Sequence, residues 1–223
     1  MYKDVKAVAF DIDGTLYAQW KLYVRIPFHF LRHLYYYSHY GILRRRLRFM
    51  QPVTDFYDFQ AEQLGKQMHV SKEKAYHLID SISYKGLQPY FNHIDPFPEA
   101  VETIKAFKEA GLKIAILSDF PPSQKGDIWG IRQLCDVCAG SEEYGMLKPS
   151  AHSFKELARR LELEPEQVLY VGNSAAYDVR GAASAGMKTA YLLRGLKAVF
   201  NKKNPEADIS FKTYRQLREI VLQ

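Results

Sequence analysis

The chain is 223 residues long, 47% hydrophobic and 14% aromatic, with 31 basic residues against 25 acidic ones and a formal net charge of +6. That length can bury a full core and suits one α/β domain with an insertion, and the composition excludes a disordered chain. No run approaches the roughly 18 apolar residues of a membrane span, and Met1 to Asp4 lead straight into the first apolar run with no room for a signal peptide, so the cytoplasm is the expected compartment.

In chain order, Val5 to Phe10 read as a buried parallel strand, apolar almost throughout. Asp11 and Asp13 follow at its carboxyl end, where open α/β sheets place their ligands, and Gly14 allows a sharp turn there. Two carboxylates side by side can hold a divalent cation while one attacks an electrophile. Tyr17 to Asn92 then read as helical. Trp20 to Met50 is dense in aromatics, with Pro27 starting or kinking a helix, and Thr54 to Met68 and Ser71 to Tyr84 carry apolar residues at helical spacing. Alternating strands and helices resume near Phe97-Pro98-Glu99, which argues for a doubly wound parallel sheet. The spacing predicts a helix from Pro98 to Ala110, a strand over Leu112 to Leu117 and a helix from about Asp127 to Leu134. A short strand holding Cys135 and Cys138 follows, then a helix capped by Ser150 and a strand over Val168 to Val171. Asp178 to Ala185 read as a helix of small residues ended by Gly186. Strands over Lys188 to Leu193 and Ala207 to Ser210 and a helix over Thr213 to Leu222 complete the chain. The isolated C-x-x-C lacks a second pair to complete a zinc site, so both cysteines are read as packing.

The basicity is local. Between Asp13 and Asp55 there is no acidic residue, while Lys21, Arg25, Arg32, Arg44, Arg45, Arg46 and Arg48 all lie there. Arg44, Arg45 and Arg46 cannot share one helix face, so part of the cluster is expected to face the cleft. One or more of Arg25, Arg44, Arg45 and Arg46 is expected to meet a second anionic group on a substrate. A basic, aromatic segment could equally engage nucleic acid or an anionic membrane surface.

Four elements recur in order: Asp11-Ile12-Asp13-Gly14-Thr15, Ser118 after Ile114 to Leu117, Lys148 in Gly145 to Pro149, and Asp178 beyond Val171-Gly172-Asn173. This set resembles the signature motifs of the haloacid dehalogenase (HAD) superfamily, mostly Mg-dependent phosphohydrolases. The resemblance implies an α/β, Rossmann-like core over residues 1–16 and 93–223, with residues 17–92 as an α-helical cap that closes over the site. It implies Asp11 as nucleophile forming an aspartyl phosphate and Asp13 as general acid and base. Ser118 is expected to donate to a phosphate oxygen, and Lys148 to supply fixed positive charge. Mg²⁺ is expected on the Asp11 carboxylate, the Asp13 backbone carbonyl and Asp178. The expected partner is a small phosphorylated metabolite, and the expected state a monomer or homodimer.

Asp13 favours phosphoryl chemistry, because dehalogenases of the superfamily typically lack an acid at that position. A phosphomutase shares both aspartates and stays open as an alternative. One departure concerns the metal: the fourth motif often begins Gly-Asp, but here reads Gly172-Asn173, one formal negative charge fewer.

Overall fold

The computed structural model of the protein describes residues 4–223. Six strands form one sheet, all pairs parallel: β1 (Ala7–Phe10), β2 (Lys113–Ser118), β3 (Val137–Gly140), β4 (Val168–Gly172), β5 (Lys188–Leu192) and β6 (Ile209–Phe211). Their order is β3-β2-β1-β4-β5-β6. Strands buried on both faces need apolar side chains at nearly every position, and every residue of β1 and β4 is buried. The alternation of β1 sorts its residues by size. Ala7 and Ala9 pack with Phe154 and Leu157 of the helix Ala151–Arg160, whereas Val8 and Phe10 pack with Ile104 and Phe107 of the helix Ala100–Glu109. The helix Tyr214–Leu222 joins the second group through Tyr214 and Leu217. β1 lies at the point where the chain turns from building one half of the sheet to the other. Its carboxyl end, with that of β4, opens the crevice in which such sheets bind ligands.

Between β1 and the helix Ala100–Glu109 the insertion is entirely helical. It comprises Trp20–Tyr23, Pro27–Arg32, Leu34–Leu47, Phe56–Met68, Lys72–Leu78, which continues through a wide turn Ile79–Tyr84, and Gln88–Phe91. Asp55 and Ser71 cap two of these helices through their side chains, and Pro27 begins its helix rather than bending it. The insertion has its own apolar cluster around Tyr36, Leu43, Leu47, Phe56, Leu64 and Ile79, and Leu147 of the core reaches into it. Where the two parts meet, Val53 N–H donates to the Gly145 carbonyl at 3.1 Å. A β-carbon at Gly145, whose φ is +77°, would collide with the Val53 carbonyl oxygen.

One element departs from the sequence expectation. Asp127 to Leu134 is not a helix: short 3₁₀ turns occupy Pro122–Lys125 and Ile131–Leu134, with Gly126, Ile128, Trp129 and Gly130 all at positive φ between them. Glycines at both ends of the five-residue stretch 126–130 let it adopt left-handed turns, which no helix tolerates. Asp178 likewise lies in a wide turn, Ala175–Val179, and the regular helix begins only at Arg180. Cys135 and Cys138 are free, half-buried and packed against the core. Among the described residues no helix is long and apolar enough to cross a membrane.

Candidate active site

The strand ends bring Asp11, Lys148 and Asp178 together, although they are far apart in sequence. Lys148 Nζ donates to Asp11 Oδ1 and to Asp178 Oδ1, both at 2.8 Å, and lies 3.3 Å from the Tyr170 hydroxyl. All three charged side chains are buried. Two acids thus share one ammonium, and the cluster keeps an excess negative charge away from water. Burial pushes Asp11 up to about 7; Lys148 pulls the other way, and Asp178 and Asp13 add to the rise. Burial opposes the Lys148 charge, but Asp11 and Asp178 together hold its ammonium well above the usual lysine range.

The other Asp11 oxygen, Oδ2, accepts from Thr15 Oγ1 at 2.8 Å, and the same hydroxyl lies 3.2 Å from Asn173 Oδ1. Asp178 is fixed by its own turn: the backbone N–H groups of Asn173 and Ser174 donate to Oδ2 at 3.1 and 2.9 Å. Gly172 and Gly14 make room for this approach. A β-carbon on the first would strike Asp178, and on the second the Asn173 amide. Asp13 turns elsewhere, accepting from the Tyr17 hydroxyl at 2.6 Å and pairing with Lys125 at 3.0 Å. Ser118 is buried at the end of β2, and its Oγ has no hydrogen-bond partner among the described residues. A buried hydroxyl without a partner is unusual and suits a group that a ligand completes.

Part of the basic cluster faces the cleft, as expected: Arg44 and Arg48 line the cavity between core and insertion. Arg44 is buried, but it does not wait for a substrate: its guanidinium pairs with Glu142 of the core, donates to Gln60 Oε1 at 3.0 Å and stacks over the Phe120 ring at 4.5 Å. Arg25 is exposed and donates to the backbone carbonyls of Lys21 and His93. Arg45 and Arg46, on the outer side of their helix, are exposed too. Three of the seven cations of the basic segment pair with acids of the protein: Arg44 with Glu142, Arg48 with Asp119 and Lys21 with Asp95.

Arg48 is the insertion arginine nearest the cluster. It pairs with Asp119 at 2.6 Å and donates to the Lys148 carbonyl at 2.5 Å. Asp119 in turn accepts from the Lys148 backbone N–H at 3.2 Å and from Ser141 Oγ at 3.1 Å. Burial works against the Asp119 charge, but Arg48, Lys148 and Arg44 hold it below the usual carboxylate range. Arg48, Asp119, Thr15 and Lys125 were not picked out by sequence. Asp119 follows Ser118 directly and Thr15 belongs to the first motif, so both carried a local signal; the partners of Arg48 and Lys125 lie too far along the chain for one.

Asp11, Asp13, Lys148, Asn173 and Asp178 line a cavity of about 890 Å³ between core and insertion. Among the described residues no cluster of three or more His, Cys, Asp or Glu side chains is placed to hold a metal. The two carboxylates of Asp11 and Asp178, with one ammonium between them, form an oxygen donor set with a surplus negative charge. That chemistry fits a hard divalent cation helped by main-chain oxygens.

The family model for haloacid dehalogenase-like hydrolases matches residues 5–186. The chain is 27% identical over 228 residues to a glyceraldehyde 3-phosphate phosphatase of Methanopyrus kandleri, with 97% of each chain covered. It is also 27% identical over 157 residues to (S)-2-haloacid dehalogenase 1 of a Pseudomonas species, covering 69% of this chain and 63% of that one. Among solved structures, a HAD phosphatase from Thermococcus onnurineus superposes with a TM-score of 0.65 at 22% identity, covering 97% of this chain and 98% of that one.

Proposed function

This chain belongs to the haloacid dehalogenase-like hydrolase family, and on that premise we propose that it hydrolyses phosphate monoesters of small molecules through a phosphoenzyme formed on Asp11. The observation that carries the proposal is the Lys148 ammonium held 2.8 Å from both Asp11 and Asp178 beneath the cavity. A buried positive charge fixed beside a carboxylate can receive a phosphoryl group that the carboxylate alone would repel.

In the first step an Asp11 oxygen attacks phosphorus, the bond from phosphorus to the ester oxygen breaks, and Asp13 gives its proton to the departing alkoxide. Lys148 offsets charge on the transferring group, the Thr15 hydroxyl fixes the direction of the Asp11 carboxylate, and Ser118 Oγ donates to a phosphoryl oxygen. Tyr17 and Lys125 hold Asp13 in position through its two oxygens. In the second step Asp13 takes a proton from water, which attacks phosphorus and releases inorganic phosphate and a free Asp11 carboxylate. Mg²⁺ would be held by Asp11, Asp178 and the Asp13 backbone carbonyl, and would supply charge neutralisation at phosphorus. Asn173 leaves that site one charge short, so weak metal binding is part of the proposal.

Phosphoryl rather than carbon chemistry is supported by Asp13, which can serve the leaving group, and by the phosphatase relative that spans 97% of this chain. Glyceraldehyde 3-phosphate, named for that relative, is one substrate to try, and a phosphorylated metabolite as substrate would place the enzyme in the cytoplasm. Arg44 and Arg48 are matched by acids of the protein, so a nucleic acid or anionic membrane would have to be met by the exposed Arg25, Arg32, Arg45 and Arg46. The test is Mg-dependent phosphate release from an aryl phosphate. Release is expected from the wild type and is expected to vanish in Asp11→Asn; release that survives in that variant would remove the covalent mechanism.

A further inference from the structure

The cavity is large for a phosphatase of three-carbon substrates. Small-molecule pockets run to roughly 300–1,000 Å³, and at about 890 Å³ this one stands near the top of that range. Its walls above the acids come from the insertion: Leu22, Ile26, Phe30, Tyr37, Leu87 and Phe91 all face it. Phe120 closes the core side.

Three of the four cations along these walls are already matched by acids. Arg44 is paired with Glu142, Arg48 with Asp119, and Lys148 with Asp11 and Asp178. The remaining lining cation, Lys197, is exposed and donates to the Tyr191 hydroxyl at 3.0 Å. A carboxylate or second phosphate carried by the substrate in among Leu22, Ile26, Phe30 and Phe91 would lose its hydration against side chains that offer it no charge, which is strongly unfavourable. An uncharged ring or hydrocarbon chain entering the same space gains apolar burial instead.

We propose that the substrate is a phosphate monoester whose leaving group is uncharged, predominantly apolar or aromatic, and bulky enough to fill the space between the insertion and Phe120. This class rests on the phosphatase reading of Asp11 and narrows it. Gly41 offers a way to test it. It lies on the helix Leu34–Leu47 and lines the cavity, and a β-carbon added there meets nothing within 4 Å. A large side chain at this position can take up substrate space without striking the backbone.

The experiment compares kcat/KM of the Mg-supplied enzyme on straight-chain alkyl phosphates from ethyl to hexyl, on phenyl and naphthyl phosphate, and on phosphoglycolate, the carboxylated counterpart of ethyl phosphate. The wild type is expected to gain up to about fourfold per added methylene, to favour naphthyl over phenyl phosphate, and to use phosphoglycolate at least about tenfold less well than ethyl phosphate. Gly41→Phe is expected to flatten the chain-length series, so that hexyl phosphate loses its advantage over ethyl phosphate. A flat wild-type series, or phosphoglycolate turned over faster than ethyl phosphate, would overturn the assignment while leaving the enzyme a phosphatase. No turnover of any monoester would remove the phosphatase reading itself, and the assignment with it.

Discussion

The ion pair between Arg44 and Glu142 joins insertion to core, and its energetics follow from its burial. The two side chains are 8% and 0% exposed. Glu142 also accepts from the Tyr84 hydroxyl at 3.0 Å, and Arg44 also holds Gln60. Burial raises the Glu142 carboxyl, and Arg44 opposes that rise. Removing one partner strands a charge where water cannot reach it, which destabilises by about 3–5 kcal/mol. Arg44→Met and Glu142→Leu should therefore each lower stability by that amount. At roughly 2–4 °C per kcal/mol for a chain of this size, the melting temperature should fall by roughly 6–20 °C. The double variant Arg44→Met/Glu142→Leu leaves no stranded charge. It should recover most of the loss, short by the about 1–3 kcal/mol expected when Tyr84 and Gln60 lose a partner. Urea unfolding of the four proteins, analysed as a double-mutant cycle, measures this directly. Two single variants each within about 1 kcal/mol of wild type, with additive effects, would refute the argument, because a buried and unscreened pair cannot behave so.

Further outcomes follow from the same geometry. Arg48→Ala strands the largely buried Asp119 carboxylate and should lower both kcat and the melting temperature, because Asp119 also holds the Lys148 backbone; a change confined to KM would mean that Arg48 acts on substrate binding alone. Gly145→Ala should destabilise by more than about 1 kcal/mol through its positive φ and the Val53 carbonyl, a loss readable by thermal melting; an unchanged melting temperature would mean that the two parts separate freely there. His29 is buried, with its ring nitrogen 3.0 Å from the Tyr37 hydroxyl and 3.1 Å from the Ile82 carbonyl. Burial lowers its pKa, the Ile82 carbonyl opposes this and His33 adds to it. The unfolded chain therefore takes up the proton first, and stability should fall as pH drops below about 6.5. A melting curve against pH should show that decline, and His29→Phe should flatten it.

The sheet was legible because its strands are buried on both faces, which forces continuous apolar runs such as Ile114 to Leu117 and Val168 to Val171. The site was legible where its groups sit at strand ends, as Asp11, Ser118 and Asn173 do. The stretch 127–134 misled because its apolar residues fit a helical period, while Gly126 and Gly130, which decide its backbone, signal turns only when weighed above that period. The arginines misled for a different reason. A lack of nearby acids says nothing about acids that the fold brings in from a distance, and Glu142 lies 98 positions from Arg44. Arg48 belongs to no motif, and its contact with Asp119, 71 positions away, is what ties it to the site.

The measurement that bears most directly on the account is acid-quench trapping of the enzyme during turnover of an aryl phosphate with Mg²⁺, followed by borohydride reduction and peptide mapping. A carboxyl phosphate on Asp11 would be reduced to homoserine at that one position, and Asp11→Asn would give none. Steady phosphate release with Asp11 unmodified throughout would contradict a phosphoenzyme on this residue.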